Sequence, residues 1–198
     1  MSPFPQPLVS RAAPLIVDNV DTDIIIPSRE IRSTGRTGLA DGLFAPWRYT
    51  DADARIENPD FTLNRPEFRS ARILLGGANF GCGSSREHAV WALAEWGIRC
   101  VVAEGFAPIF HGNCVRNGVL PVILPRPAIE ALSGREITVD LAAATIDGQA
   151  FAIDPEAKQM LREGLDAIDL TLTQGAAIDA WTAADRAARP WVYLENTA

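Results

Sequence analysis

The residues best placed to do chemistry lie in one run, Gly76-Gly77-Ala78-Asn79-Phe80-Gly81-Cys82-Gly83-Ser84-Ser85-Arg86-Glu87-His88-Ala89. Four glycines, two serines and an arginine fall within its first eleven residues, more than a helix cap requires. Backbone N–H groups in such a run can face an anion, and a helix beginning near Ser84 would add the positive end of its macrodipole. Arg86 would add a planar fork for a carboxylate. Ser84-Ser85-Arg86-Glu87 also reads as a capping box, with the Ser84 hydroxyl on the helix end and Glu87 reaching back. That arrangement contributes about 1 kcal/mol and needs no function. An arginine at the second or third helical position opposes the macrodipole, and a bound anion between the two would explain it.

Three familiar motifs can be tested against the run. A Walker A loop needs Gly-Lys-Ser/Thr, and no lysine is present. A nucleophile elbow needs Gly-x-Ser-x-Gly, which Gly83-Ser84-Ser85-Arg86 does not match. A dinucleotide fingerprint begins with Gly81-Cys82-Gly83 and has Glu104 at the end of the next strand, but Arg86 occupies the third glycine position. A phosphate-free anion, a di- or tricarboxylate, remains.

The elements that must position this run alternate. Arg72–Gly76 reads as a buried strand, followed by the glycine turn and a helix over Ser84–Trp96 that stops at Gly97. Strand Ile98–Ala103, helix Ala107–Arg116 and strand Val119–Leu124 come next, a pattern that implies a parallel sheet with right-handed crossovers. Upstream, Leu15–Pro27 is apolar around the polar insert Asp18–Asp23, which has turn chemistry. Ser28–Arg69 is rich in glycine and proline and reads as a loop-rich excursion. Downstream, short β segments are expected at Ile137–Leu141, Ala144–Ile146 and Ala150–Ile153. Helices follow at Pro155–Glu163, with Pro155 in a favourable first position, and around Gly175–Ala188. The fold class is α/β, one domain of mixed topology.

The 198 residues suit one domain, and 47% hydrophobic with 22% charged residues is the composition of a soluble globular protein. No apolar run is long enough for a bilayer, and Met1–Pro14 lacks the apolar core of a secretory signal. Cytoplasmic residence without a membrane partner is the expectation. A net charge of −7 argues against nucleic acid. Seventeen of the eighteen basic residues are arginines, so a few can still bind a small anion bidentately. Cys82, Cys100 and Cys114 have neither disulfide nor Cys-x-x-Cys spacing. Cys100 reads as a strand residue, and His88 and His111 as structural or as residues that support a site without touching its ligand. No metal site is expected in this chain.

Asn79–Ala89 resembles the signature of the swivelling domain of aconitase and isopropylmalate isomerase. Asn19–Pro27 is similar to that family's N-terminal motif, and Gly105-Phe106-Ala107-Pro108-Ile109-Phe110 through Gly118-Val119-Leu120-Pro121 to its third. Arg36-Thr37-Gly38, Gly42-Leu43-Phe44 to Trp47-Arg48, and Gly164–Leu172 look like the small subunits of bacterial isopropylmalate isomerases. The resemblance implies a single swivelling β/β/α domain of the aconitase C-terminal type over residues 1–198, with the excursion 28–69 and a C-terminal helical segment 155–198. It implies the small subunit of a heteromeric hydro-lyase that isomerises 2-isopropylmalate to 3-isopropylmalate, in leucine biosynthesis, by dehydration and rehydration. No cofactor is then bound here, and a [4Fe-4S] cluster in a separate large subunit takes the hydroxyl. Ser84 would be the catalytic base, assisted by Asp23. Ser85, Arg86, Arg36 and Thr37 would bind the substrate. Where the family usually shows an aromatic-Leu pair, this chain has Glu30-Ile31, then Arg32. Arg32 could meet a second carboxylate, or Glu30 and Arg32 could be solvated loop charges. Alternatives are a relative acting on citraconate, maleate or homoaconitate, and a non-catalytic anion- or nucleotide-binding module.

Overall fold

A computed structural model describes residues 2–31 and 35–193 of the chain. The first strand, β1 (Leu8–Pro14), was not foreseen. A turn at Asp18–Asn19 leads to α1 (Thr22–Ile25), which Asp21 caps by accepting from the Ile24 N–H at 2.8 Å. The excursion holds α2 (Ala45–Arg48) and a hairpin of β2 (Tyr49–Asp51) and β3 (Ile56–Glu57). The alternating unit then runs β4 (Ile73–Leu75), α3 (Glu87–Trp96), β5 (Cys100–Ala103), α4 (Pro108–Arg116) and β6 (Leu120–Ile123). Beyond it come α5 (Arg126–Leu132), β7 (Glu136–Asp140), β8 (Thr145–Ile146) and β9 (Gln149–Ala150). The chain continues with α6 (Pro155–Glu163), α7 (Ala167–Leu172) and α8 (Gly175–Ala188).

One seven-stranded sheet runs β6-β5-β4-β1-β7-β8-β9. The first four strands pair in parallel and the remaining pairings are antiparallel. Every residue of β4 and β5 is buried, as a parallel sheet covered on both faces requires. Leu74 and Val101 point into one core with α3, Phe110 of α4 and the excursion. Ile73, Leu75, Cys100 and Val102 point into the other, with α5, α6 and the antiparallel half. Among the described residues no helix is long and apolar enough to cross a membrane.

The excursion is more ordered than its composition suggests. Leu39, Leu43, Phe44, Phe61, Leu63 and Phe68 sink into the first core. Arg48 lies buried with its guanidinium 4.4 Å from the Trp96 ring and donates to the Ala40 carbonyl at 2.7 Å. The Glu95 carboxylate, on α3, accepts from the backbone N–H groups of Gly38, Leu39 and Ala40 at 2.6, 2.6 and 2.8 Å. Partial burial disfavours its charge, but those three donors outweigh it and hold the carboxyl below its ordinary value of 4.5.

A carboxyl with a lowered folded pKa stabilises the fold above its unfolded pKa, and that contribution is lost as pH falls through the folded value. Glu95→Gln should therefore cost about 1 kcal/mol at neutral pH, a figure reduced for the exposure of the group. Chemical denaturation of both proteins should show this gap constant from about pH 7 to about pH 5 and closing below about pH 4.

Candidate active site

The glycine run leaves the C-terminal end of β4 and threads between two neighbouring strand ends. Its backbone is bonded on both sides. On one side, Gly77 and Gly81 donate to the carbonyls of Val17 and Val20 at 3.1 and 2.7 Å, and Thr22 donates to Cys82 at 2.9 Å. On the other, Phe80 donates to Gly105 at 2.9 Å, and Ala107 donates back to Phe80 at 3.0 Å. This ladder brings together the three segments that sequence reading singled out separately.

Two glycines make the threading possible. A Cβ at Gly77 would lie 2.6 Å from the Val17 backbone. One at Gly81, whose φ is +75°, would lie 2.1 Å from the Phe110 ring. No side chain fits either place without moving the backbone or the ring.

The capping box does not form. The helix begins at Glu87 rather than Ser84, with Arg86 as its N-cap and no side chain on the cap. Glu87 instead accepts from Asn117 Nδ2 at 2.8 Å, and that asparagine also accepts from the Trp91 indole at 2.9 Å. The Ser84 carbonyl accepts from Arg86 N at 2.7 Å and from Thr22 Oγ1 at 2.9 Å. Ser84 and Ser85 thus stand in an exposed bend ahead of the helix.

They line a cavity of about 220 Å³ with Gly81, Gly83, Arg86, Thr22 and the first turn of α4. That helix also starts without a side-chain cap, after Ala107, with Pro108 in its first turn. Two uncapped helix starts therefore face one space, which suits an anion. The volume is below the usual range of closed ligand pockets, roughly 300–1,000 Å³.

Arg86 forms an ion pair with Asp23, 63 residues away in sequence. The counter-charge that sequence reading sought in a ligand is supplied here by that carboxylate, at the helix N-cap. Arg36 and Thr37 are not among the cavity's lining residues. The Arg36 guanidinium lies 5.1 Å from the ring of Trp91, on α3, and Thr37 is exposed beside Gly38. Arg32 lies outside the described residues. Glu30 is not solvated: it is buried and paired with Arg55 at 2.6 Å. Thr22, Asn113 and the stretch Ala107–Phe110 were not foreseen as lining residues. The signal available was a proline opening a helix directly after a strand end.

Glu104, which a dinucleotide site would use for a ribose, is taken by Arg126 at 2.5 Å, and Arg126 also pairs with Asp18. The Ala78 N–H and Arg126 hold the Asp18 carboxyl below its ordinary value. A resident iron–sulfur cluster does not fit this chain's cysteines. Cys100 and Cys114 are sealed in the two cores, and burial pushes both thiols up, against the thiolate a cluster needs. Among the described residues no group of three or more His, Cys, Asp or Glu side chains is arranged to hold a metal ion.

The cavity lies where a glycine turn meets two helix starts, on a parallel sheet extended by antiparallel strands, and the family comparison concerns this same part of the chain. Residues 8–127 match the aconitase C-terminal domain, and the chain belongs to that family. Within it, the chain is 53% identical to the 3-isopropylmalate dehydratase small subunit of Cupriavidus necator, over 93% of this chain and 95% of that protein. The corresponding small subunit of Rhodospirillum centenum is 48% identical, over 93% and 96%. A crystal structure of 3-isopropylmalate dehydratase from Methanocaldococcus jannaschii superposes with a TM-score of 0.64 at 27% identity, covering 89% of this chain and 99% of that one.

The two glycine constraints predict a contrast. Gly77→Ala should destabilise the protein by about 2–3 kcal/mol through overpacking against backbone. Gly105→Ala, where a Cβ meets nothing within 4 Å, should change stability by under about 0.5 kcal/mol. Urea denaturation of the two variants measures the difference.

Proposed function

We propose that this chain is the small subunit of a heteromeric hydro-lyase that interconverts 2- and 3-isopropylmalate by dehydration and rehydration, in the cytoplasm, as a domain that swivels onto a large subunit. The observation that carries the reading is the cavity where Ser84, Ser85 and Arg86 meet two uncapped helix starts. It occurs in a chain about half identical, over nearly its whole length, to proteins named 3-isopropylmalate dehydratase small subunit.

In this reading a substrate carboxylate takes the Arg86 fork, and Asp23 keeps that guanidinium aimed while the site is empty. Ser85 donates a hydrogen bond to the substrate. The Ser84 side-chain oxygen, exposed and uninvolved in capping, takes the proton from the carbon next to a carboxylate as an alkoxide and becomes the neutral hydroxyl. A serine hydroxyl is a very weak acid, so it can act as a base only as a stabilised alkoxide. Backbone N–H groups, the helix ends and Arg86 provide that stabilisation once a second surface excludes water. Arg36 and Thr37 reach the substrate from beside α3 after closure, and Arg32 is a further candidate partner for a substrate carboxylate. The [4Fe-4S] cluster belongs to the large subunit, where it supplies a Lewis acid for the departing hydroxyl.

The chain alone should be inactive, and active once mixed with a large subunit carrying an intact cluster. In the reconstituted enzyme Ser84→Ala should lower kcat about 10²- to 10⁴-fold, the range for losing a positioned base. Arg86→Lys should lower kcat/KM about 10- to 100-fold by removing the bidentate contact. Near-normal turnover by Ser84→Ala would rule out the serine as base, and turnover by the isolated chain would rule out the heteromeric reading.

A further inference from the structure

We infer that Thr22 is a positioning residue for the reaction: its buried hydroxyl holds the Ser84–Ser85 peptide in the orientation that presents Ser84 to the substrate. The inference rests on the reading of Ser84 as the base and deepens it.

The bend ahead of α3 has few attachments. Cys82 still belongs to the ladder, since its carbonyl accepts from Thr22 N at 2.9 Å. Arg86 is held through its ion pair with Asp23. Between those anchors lie Gly83, Ser84 and Ser85, all exposed. Among the described residues, one hydrogen bond ties these three to a distant part of the chain, from Thr22 Oγ1 to the Ser84 carbonyl at 2.9 Å. The other bond to that carbonyl, from Arg86 N at 2.7 Å, is local and moves with the bend.

Thr22 is suited to this task. It is 1% exposed and opens α1 directly after the Asp21 cap. Water competes little for a bond made from so closed a place, and a β-branched side chain has little freedom at χ1. Gly83 lets the bend lie close, because a Cβ there would be 3.5 Å from Thr22 Oγ1 and 3.3 Å from Asp21 Cβ. In a trans peptide the C=O and N–H point in opposite directions. Drawing the Ser84 carbonyl onto Thr22 therefore turns the Ser85 N–H away from Thr22, and that N–H has no acceptor among the described residues. This free donor, one residue from the Ser84 side chain, is available to the negative charge of the alkoxide.

The test uses the chain reconstituted with its large subunit, acting on 2-isopropylmalate. Thr22→Val removes the donor with little change of shape, and Thr22→Ser keeps it. Thr22→Val should lower kcat about 10- to 100-fold, the scale of a small misplacement of a reacting group, with KM changed by less than about threefold. Thr22→Ser should recover to within about threefold of wild type. The Ser84 carbonyl keeps its bond from Arg86 N in either variant, so both should unfold within about 4 °C of wild type. Because Thr22 acts through Ser84, adding Thr22→Val to Ser84→Ala should lower the remaining rate by less than about twofold, whereas a general structural role would multiply the two losses. A Thr22→Val enzyme with near-normal kcat, a Thr22→Ser enzyme as slow as Thr22→Val, or multiplied losses in the double variant each overturn the inference. So does a Thr22→Val chain that fails to fold or to bind the large subunit, since the hydroxyl would then be structural. The underlying reading fails separately, if Ser84→Ala turns over at a near-normal rate whatever the Thr22 variants do.

Discussion

The site depends on a backbone passing where no side chain can. Between β4 and α3 the chain slips between two strand-end loops, close enough to hydrogen-bond both. Gly77 lies against the Val17 backbone and Gly81 against the Phe110 ring. That closeness fixes the path of the next residues, so Gly83, with φ at +89°, turns Ser84 and Ser85 outward instead of letting them begin the helix. A larger residue at either glycine would separate the segments that form the cavity. The rigid ladder below and the exposed serines above are two consequences of one packing constraint.

Electrostatics then defines what the exposed bend can do. Two helices begin at the cavity without side-chain caps, so their orphan N–H groups and positive ends remain available. The local groups that could have quenched them are engaged elsewhere. Glu87 is drawn away to Asn117, and Asp23 is turned onto Arg86. Under the proposed function these donors would meet an incoming carboxylate, and the openness of the cavity suits a surface that another subunit closes.

Much of the frame was legible because its apolar residues are contiguous or periodic. Strands β4, β5 and β6 and helices α4, α6 and α8 lie where the pattern and their Gly and Pro boundaries predicted. β1 was missed because its pattern is inverted: Val9 faces solvent while Ser10 is buried, accepting the Arg72 N–H at 2.9 Å. α5 was hidden by Pro125-Arg126-Pro127, which reads as a breaker although proline is tolerated in a first helical turn. The site divides the same way. Ser84, Ser85 and Arg86 were evident from local density, but the failure of the capping box depends on a residue thirty positions away. Glu30 looked like a solvated charge because its partner, Arg55, is brought beside it only by the folded excursion. Long-range pairing decided each of these cases, and local sequence carries little trace of it.

The most direct test of the central claim is amide hydrogen exchange on the chain in three states: free, bound to the large subunit, and bound to the large subunit with 2-isopropylmalate. An anion docking between the two helix starts predicts protection added by the substrate at residues 81–86 and 109–111, beyond that caused by the large subunit. Substrate-dependent protection elsewhere, with residues 81–86 exchanging as in the substrate-free complex, would contradict the account.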